Sequence, residues 1–227
     1  MYKVYPTLVD NFNYYLSSES MTTEEMIDRI NRVPTPTTEA QIKGRGLNNL
    51  IDDMLKGFAP EVKINEYRGK QSAVYVWHEL SEDISTGVTL LEYDKAVVDE
   101  LLTYLQGATS QAYSEAVIQT AYGNVLLYGY KDYLIKDRII DLKTTSQYTF
   151  PKYGTGFQHK CYLYTMRESG NNIHLFDYLI TDFRSVFVES YNWHNNMIGQ
   201  MKAQLNNFLA FVENNSDKII NKKLLGI

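Results

Sequence analysis

Residues 125–145 read VLLYGYKDYLIKDRIIDLKTT, and this stretch decides the fold. Its aromatic and β-branched residues predict one strand over residues 125–135 and another over residues 138–145. Only Lys136 and Asp137 separate the two strands, so we expect a β-hairpin with a two-residue turn. Because Lys-Asp is not a favoured hairpin turn, the register stays open to a slip of two residues.

The predicted hairpin gathers three charged side chains on one face of the sheet. With the two-residue turn, Asp132 lies directly opposite Asp141, and Lys143 projects from the same face because side chains alternate along a strand. A slip of two residues would place Asp132 opposite Lys143 instead. Two carboxylates held together either share a proton or bind a cation, and oxygen ligands suit Mg²⁺ or Mn²⁺. A lysine beside such a metal can stabilise phosphate charge, which indicates phosphodiester hydrolysis; the alternative is an ordinary surface pair.

The elements around the hairpin predict a mixed sheet flanked by helices. A strand before the hairpin, then a helix, two more strands and a closing amphipathic helix give the order β-β-β-α-β-β-α. We place them at Glu115–Tyr122 with a turn at Gly123-Asn124, about Gly156 to Arg167, Ile173–Ile180, Ser185–Tyr191 and residues 194–214. The fold class is therefore α/β, with residues 111–192 as the β-β-β-α-β-β core.

The part before this core, residues 1–110, is predicted to be mainly helical. Helices are expected to begin at Pro6, after Thr22, near Glu39 and near Asp94. The segment SAVYVWHE, Ser72–Glu79, fits either a strand or a buried helix. Residues 193–227 carry the C-terminal helix, and the whole chain, 1–227, is expected to be a single domain.

The charge is unevenly distributed along the chain. The formal net charge is −5, which argues against a protein that coats nucleic acid by bulk positive charge. Residues 131–167 nevertheless hold seven Lys or Arg and three Asp, a local excess of +4. This segment contains the candidate site, so it predicts a local positive surface that could hold a DNA backbone; the alternative is a chance cluster on a solvated face.

Cysteine and hydropathy restrict the class of protein. The single cysteine, Cys161, excludes an internal disulfide framework, a cysteine-rich zinc site and a four-cysteine iron–sulfur cluster. We see neither a leader sequence nor an apolar stretch long enough to span a membrane. We therefore expect a cytoplasmic protein, or one in the host cytoplasm if it is viral, without a membrane partner.

Three blocks around the hairpin resemble the RecB-like exonucleases of the PD-(D/E)XK superfamily. They are G-x-x-D at Gly129–Asp132, apolar-D-x-K-T at Ile140–Thr144 and Q-x-x-x-Y at Gln158–Tyr162. Residues 5–16 also resemble the opening helix of the family, and residues 43–55 resemble its G-x-x-x-H-x-x-x-E block. The resemblance covers most of the chain and implies a restriction-endonuclease-like core of the type without an iron–sulfur cluster.

The resemblance also implies a metal site. Asp132 and Asp141 match the acids that bind Mg²⁺ or Mn²⁺, together with the backbone carbonyl of Leu142. The histidine position of the family falls on Asn48, and the acid after it falls on Asp52; either is expected to complete the metal shell, directly or through water. Asparagine is a weaker ligand than histidine for Mn²⁺, and this departure favours the alternative of a module that kept the fold and lost catalysis.

The expected activity is metal-dependent hydrolysis of DNA. With the two acids, the implied catalytic residues are Lys143, which positions water and stabilises the phosphate, and Gln158 and Tyr162, which orient water, lysine or the scissile strand. The resemblance favours an exonuclease in recombination, repair or viral DNA processing, with DNA and a separate helicase or recombination protein as partners. The alternatives are an endonuclease of the same superfamily, a catalytically inactive nucleic-acid-binding or protein-interaction module, and a structural protein without an active site.

Overall fold

A mixed six-stranded sheet organises the computed structural model, which describes residues 1–80 and 88–226. The strands are β1 (Tyr2–Val4), β2 (Glu61–Tyr67), β3 (Lys70–Leu80), β4 (Val88–Asp94), β5 (Thr109–Thr120), β6 (Gly123–Ile135), β7 (Arg138–Thr144), β8 (Leu175–Thr181) and β9 (Val186–Asn192). The helices are α1 (Pro6–Ser17), α2 (Thr23–Asn31), α3 (Glu39–Leu55), α4 (Lys95–Tyr104), α5 (Gln158–Glu168), α6 (Asn196–Asn214) and α7 (Lys222–Leu225). The predicted α/β class and the order of the core elements are confirmed.

The long strand β6 is the branching point of the large sheet. It pairs with β5 along one edge, while its other edge pairs with β1 at Val125–Leu127 and with β7 at Tyr133–Ile135. From β7 the sheet continues through β8, which is parallel to β7, to the antiparallel strand β9. The helix α5 connects β7 to β8, as a parallel crossover requires.

The two predicted turns have different outcomes. Ile135 pairs with Arg138, so the two-residue Lys136-Asp137 turn is confirmed and the two-residue slip is excluded. The turn between β5 and β6 lies two residues earlier than predicted, because Thr120 pairs with Gly123. Gly123 has a φ of +90° at the first position of β6. The Gly123-Asn124 dipeptide therefore marks the end of the turn rather than its centre.

Helices cover both faces of the large sheet. Apolar residues of α1, α2, α5 and α6 pack on one face, against β5, β6, β7 and β8. The other face packs against α3, α4 and the small sheet. The predicted C-terminal helix is confirmed as α6, and its buried stripe is Met197, Met201, Leu205, Phe208, Leu209 and Val212. The two faces of the sheet therefore have separate helical covers, and the candidate site must be assigned to one of them.

The N-terminal part is less helical than predicted. Its four predicted helices are present, and Thr22 and Thr38 both form capping boxes at the starts of α2 and α3. Ser72–Glu79 lies in β3, which settles the ambiguity in favour of a strand. However, β2, β3 and β4 form an antiparallel sheet that the sequence prediction did not include. The β2 sequence EVKINEY alternates on a surface that stays largely exposed, so it lacks the apolar signal of a buried strand.

No helix in residues 1–80 and 88–226 is long and apolar enough to cross a membrane.

Candidate active site

The two candidate acids lie where the hairpin strands separate. Between the described parts of β6 and β7, Tyr133 and Ile140 form the last registered pair. Asp132 and Asp141 are therefore not a ladder pair, and the expectation that they face each other on a regular sheet is wrong. Instead, the backbone amide of Leu142 donates a hydrogen bond of 3.1 Å to Oδ2 of Asp132. The two acids still come together, but across diverging strands.

The strand β6 is irregular at Asp132 itself. The register between β5 and β6 skips the position at which Gln111 would face Asp132, and Gln111 has a φ of +58°. Lys131 and Tyr133 would share a face in a regular strand, yet Lys131 contacts α5 and Tyr133 contacts α3. Asp132 lies at this break, which explains why its carboxylate extends toward the β7 backbone.

Asp141 binds two side chains at the edge of a cleft. Nε2 of Gln158 donates a hydrogen bond of 2.6 Å to its Oδ1, and Nζ of Lys143 lies 2.6 Å from its Oδ2. The side chain of Asp141 is 2% exposed, whereas that of Lys143 is 30% exposed. Of the two groups, Lys143 is therefore the one that a ligand in the cleft can reach, and Asp141 lies directly behind it.

The pKa values of Asp132 and Lys143 are both shifted at this site. Burial, followed by the charge of Asp141, raises the pKa of Asp132 to about 7, although Lys143 and the Leu142 amide oppose the shift. Burial acts to lower the pKa of Lys143, but the charges of Asp141 and Asp132 more than offset this and raise it. Lys143 is thus held as a cation at neutral pH, while Asp132 changes its charge near neutrality.

Close packing requires glycine at position 129, the first residue of the G-x-x-D block. A Cβ atom added at Gly129 would lie 2.9 Å from the hydroxyl oxygen of Tyr162 and 2.8 Å from its ring. Only glycine lets the α5 tyrosine approach this part of β6 so closely. Tyr162 is 6% exposed and interacts with Gln158, one helical turn earlier. The structure therefore brings Gln158 and Tyr162 next to the two acids, on the one helix face that their spacing predicted.

An open cleft of about 750 Å³ faces Lys143 and Gln158. Of its lining residues, only Lys143 and Gln158 were predicted from the sequence, and the unpredicted ones include Asp10, Lys152 and Tyr153. Asp10 accepts hydrogen bonds from the amides of Phe157 (2.6 Å) and Gln158 (3.1 Å), and so it caps the start of α5. Burial raises the pKa of Asp10, which lies close enough to Lys143 to feel its charge.

The loop before α5 is held in place by Glu189 on β9. This carboxylate accepts hydrogen bonds from the amides of Lys152 (3.0 Å) and Tyr153 (2.8 Å) and from the hydroxyl of Tyr148 (2.8 Å). The Tyr153 ring stacks on Tyr178 with the centroids 4.5 Å apart. Both contacts fix the part of the cleft wall next to Lys143, whose Nζ lies 6.0 Å from the ring centroid of Tyr178.

The helix α3 reaches the acids from the other face of the sheet. A Cβ atom at Gly44 would meet Oγ1 of Thr144 at 2.5 Å, and the carboxylate of Asp52 accepts a 2.7 Å hydrogen bond from Tyr133. Asn48 is one turn from each, so it lies on the same face of α3. The charge of Asp52 contributes to the raised pKa of Asp132, but Asp52 lines a different pocket from Lys143.

The donor set fits a hard divalent cation in its chemistry. Asp132 and Asp141 offer carboxylate oxygens, and Oδ1 of Asn48 is a buried oxygen without a hydrogen-bond partner among the described residues. A polar atom left in this way is suited to a ligand role. Within residues 1–80 and 88–226, however, no three His, Cys, Asp or Glu side chains are grouped to hold a metal ion. A cation here would need main-chain, amide or water oxygens beside the two acids.

The predicted positive surface is weaker than the charge count suggests. Lys131 and Lys160 are 0% and 4% exposed, and Arg138 forms an ion pair with Asp177 at 3.0 Å. Of the seven basic residues in the segment, Lys143 and Lys152 line the cleft. A sum over the sequence includes cations that the fold places inside, so it overestimates the charge presented to a ligand.

Comparison with known proteins does not assign a family. No protein-family model matches the chain, and no curated protein matches it. Among solved structures, a partial likeness is found to the crystal structure of SSO0001, with 14% identity and a TM-score of 0.38. The likeness covers 50% of this chain and 55% of that chain. Similarity at this level identifies neither fold nor function, so the function has to be argued from the site.

Proposed function

We propose that the chain is a metal-dependent deoxyribonuclease with a restriction-endonuclease-like core, acting as a DNA exonuclease. The observation that carries the proposal is the convergence of Asp132, Asp141, Lys143 and Gln158 at the point where β6 and β7 separate, beside an open cleft. A fold gains nothing from placing two carboxylates together, because their repulsion destabilises it. The arrangement is therefore better explained by a cation and a phosphate than by stability.

Each residue has a distinct part in the proposed reaction. Asp132, Asp141 and the Leu142 carbonyl would hold Mg²⁺ or Mn²⁺, with Asn48 as a further oxygen donor. When bound, such an ion supplies Lewis acidity and lowers the pKa of water. Hydrolysis joins a water oxygen to phosphorus and breaks the bond to the leaving sugar oxygen, so negative charge on the phosphate oxygens must be stabilised.

Lys143 supplies that stabilisation from the protein. Because the two carboxylates raise its pKa, it stays protonated and acts as a fixed cation toward the phosphate rather than as a base. Gln158 orients Asp141 by its 2.6 Å hydrogen bond. Tyr162, which packs against Gly129 and interacts with Gln158, keeps the glutamine in that position and acts as a positioning residue.

A nuclease assay with matched lysine variants tests the proposal. End-labelled linear, circular and single-stranded DNA are incubated with Mg²⁺, Mn²⁺ or EDTA. We expect cleavage that requires a divalent cation, that is lost in Lys143→Ala, and that persists in Lys218→Ala, which removes an exposed lysine outside the cleft. Cleavage of linear but not circular DNA supports an exonuclease, and cleavage of circles supports the endonuclease alternative.

One observation favours a second function. Asn48 stands where the resemblance expects histidine, and no cluster of three acidic, His or Cys ligands is present among the described residues. A chain that kept the fold and lost catalysis would bind nucleic acid without cleaving it. If the wild type cleaves none of the DNA substrates with either cation, yet retards them in a gel, the binding module replaces the nuclease.

A further inference from the structure

A second pocket lies close to the cleft and is lined by aromatic rings and two cations. Its volume is about 520 Å³, and Tyr5, Tyr128 and Tyr130 form much of its wall together with Arg32 and Lys223. The guanidinium of Arg32 lies 5.3 Å from the ring centroid of Tyr5, and Nζ of Lys223 lies 4.9 Å from that of Tyr128. The two tyrosine rings are in turn 6.2 Å apart. The pocket thus combines flat apolar surfaces with positive charge.

Neither cation is paired with an acid among the residues that the structure describes. Within the part of the chain that the structure describes, Arg32 and Lys223 form no ion pair with Asp or Glu. Arg32 has a φ of +59° at the end of α2, a backbone conformation that a non-glycine residue rarely adopts. Two cations from distant parts of the chain, without an acidic partner among the described residues, provide charge complementarity for an anion.

Tyr130 provides an exposed ring at the same place. Its side chain is 59% exposed, and it is supported by Tyr113, whose ring centroid lies 5.1 Å away. A large aromatic surface left in water on a well-paired strand favours a contact with something outside the chain. Stacking on tyrosine and ion pairing with arginine or lysine are together the features that bind an unpaired nucleotide.

The pocket continues into the candidate active site. Thr7, at the start of α1, lines both the pocket and the cleft that holds Lys143. Tyr162 lines the pocket, while its neighbour Gln158 lines the cleft and bonds to Asp141. A strand with its phosphate at Lys143 would therefore have an adjacent nucleotide within reach of the pocket.

From this continuity we infer a subsite for one unpaired nucleotide next to the scissile phosphate: its base stacks on Tyr130 and Tyr128, and its phosphate lies between Arg32 and Lys223. The inference rests on the proposed function for the direction of the strand, but the site itself binds single-stranded nucleic acid whether or not the chain cleaves it. It implies that a duplex must open at its end, because a paired base cannot enter the pocket.

Binding of a short oligonucleotide tests the subsite without catalysis. The probe is single-stranded octathymidylate with a fluorescein label, followed by anisotropy in EDTA, and the comparison probe is an abasic octamer with the same phosphates. We expect Tyr130→Ala to weaken binding of octathymidylate about 5- to 10-fold without affecting the abasic probe. The double variant R32Q/K223Q should weaken binding of both probes by about 10-fold or more, and Lys218→Gln serves as a control of equal charge type.

The outcomes separate this inference from the proposed function. If octathymidylate binding depends on Tyr130 and the two cations but the wild type cleaves nothing, the subsite stands and the nuclease proposal fails. If the wild type cleaves DNA while both Tyr130→Ala and R32Q/K223Q bind and cleave as the wild type does, the subsite is overturned and the nuclease stands. If Tyr130→Ala weakens binding of both probes equally, the base-stacking role is overturned. If an acidic peptide displaces octathymidylate as effectively as thymidine monophosphate does, the pocket is a protein-binding site instead.

Discussion

Two buried carboxylates on adjacent strands of the large sheet have opposite surroundings. Asp177 on β8 and Asp141 on β7 lie one register position apart and on opposite faces. Asp177 is surrounded by donors, which are the hydroxyl of Tyr104 at 2.7 Å, the guanidinium of Arg138 at 3.0 Å and the hydroxyl of Ser190 at 2.6 Å. Asp141 also has two donors, but it shares its site with the carboxylate of Asp132.

We take this difference to separate an acid that stabilises the fold, Asp177, from an acid of the proposed site, Asp141. A buried carboxylate with several hydrogen bonds stabilises the element that holds it, because each lone pair is satisfied. A second carboxylate beside the first costs free energy that the fold does not recover. Burial alone therefore does not identify a site, and the like-charge neighbour at Asp141 is the feature that Asp177 lacks.

The largest expected effect comes from replacing each acid by its amide. Asp141→Asn should lower DNA cleavage at least about 10²-fold, since it removes a cation ligand and the partner of Lys143. Asp177→Asn should leave the rate per folded molecule within about threefold, because the residue faces α4 and not the cleft. Initial rates on end-labelled DNA, corrected for the folded fraction by circular dichroism, check the pair. Equal losses in both variants would remove the distinction between the two sites.

The free energy of unfolding should fall more in Asp177→Asn than in Asp141→Asn, which is the reverse of the order expected for cleavage. Asp177→Asn weakens three hydrogen bonds and leaves Arg138 without its counter-ion, so we expect a loss of about 2 kcal/mol in the free energy of unfolding. The expected loss is smaller than for a fully buried ion pair because the Arg138 side chain is 38% exposed to solvent. Asp141→Asn relieves the repulsion with Asp132 and should cost less. Urea unfolding in EDTA measures both, and a more stable Asp177→Asn would contradict the structural assignment.

The hairpin and the elements around it could be predicted because they depend on residues that are close together in the sequence. The turn Lys136-Asp137, the caps at Thr22 and Thr38, and the one-turn spacing of Gln158 and Tyr162 are all encoded by residues close in sequence. Such features depend on local backbone preferences and on helical or strand periodicity. They predict the hairpin turn, two helix starts and the shared helix face of Gln158 and Tyr162, whereas the nearness of these two residues to the acids was implied by the family resemblance.

The remaining features depend on contacts that local patterns do not contain. The start of α5 has no capping side chain of its own at Phe157, and its cap, Asp10, comes from 147 residues away. The break at Asp132 depends on the backbone of Gln111 in another strand. Lys131 is buried under Tyr162, which a count of charges cannot reveal. Each of these is a tertiary effect that overrides the local pattern.

The pH dependence of stability should distinguish the two carboxylate sites further. The pKa of Asp132 is about 7 in the folded protein, against about 4 in the unfolded chain, so the native state binds the extra proton between these values. Stability from this group is fully present below about pH 4 and is lost as the pH rises through 7. Asp132→Asn removes the loss, and it should gain about 1 kcal/mol over the wild type at pH 8, after allowance for solvent screening.

The quantity to measure is the difference in free energy of unfolding between Asp132→Asn and the wild type, in EDTA, from pH 4 to pH 8. Asp177→Asn provides the control, because its difference from the wild type should not carry a step near pH 7. A difference for Asp132→Asn that stays constant with pH would show that neither burial nor the charge of Asp141 raises the pKa of Asp132 in the folded protein.

The smallest expected effect concerns Asn48, the oxygen donor on the α3 face. Its Oδ1 is buried without a partner in the described structure, so a cation would satisfy it and the fold alone does not. Asn48→Ala should weaken cation binding several-fold, and Asn48→His should restore it with a preference for Mn²⁺ over Mg²⁺. The readout is the shift of the melting temperature with each cation, which for the wild type should reach about 2–4 °C at saturating concentrations. Asp53→Ala, five residues further along α3 with a side chain that is 46% exposed, provides the control on the same helix. If Asn48→Ala and Asp53→Ala leave the cation-induced shift equally unchanged, α3 contributes only packing to the site, and the cation is held from the β6–β7 side alone.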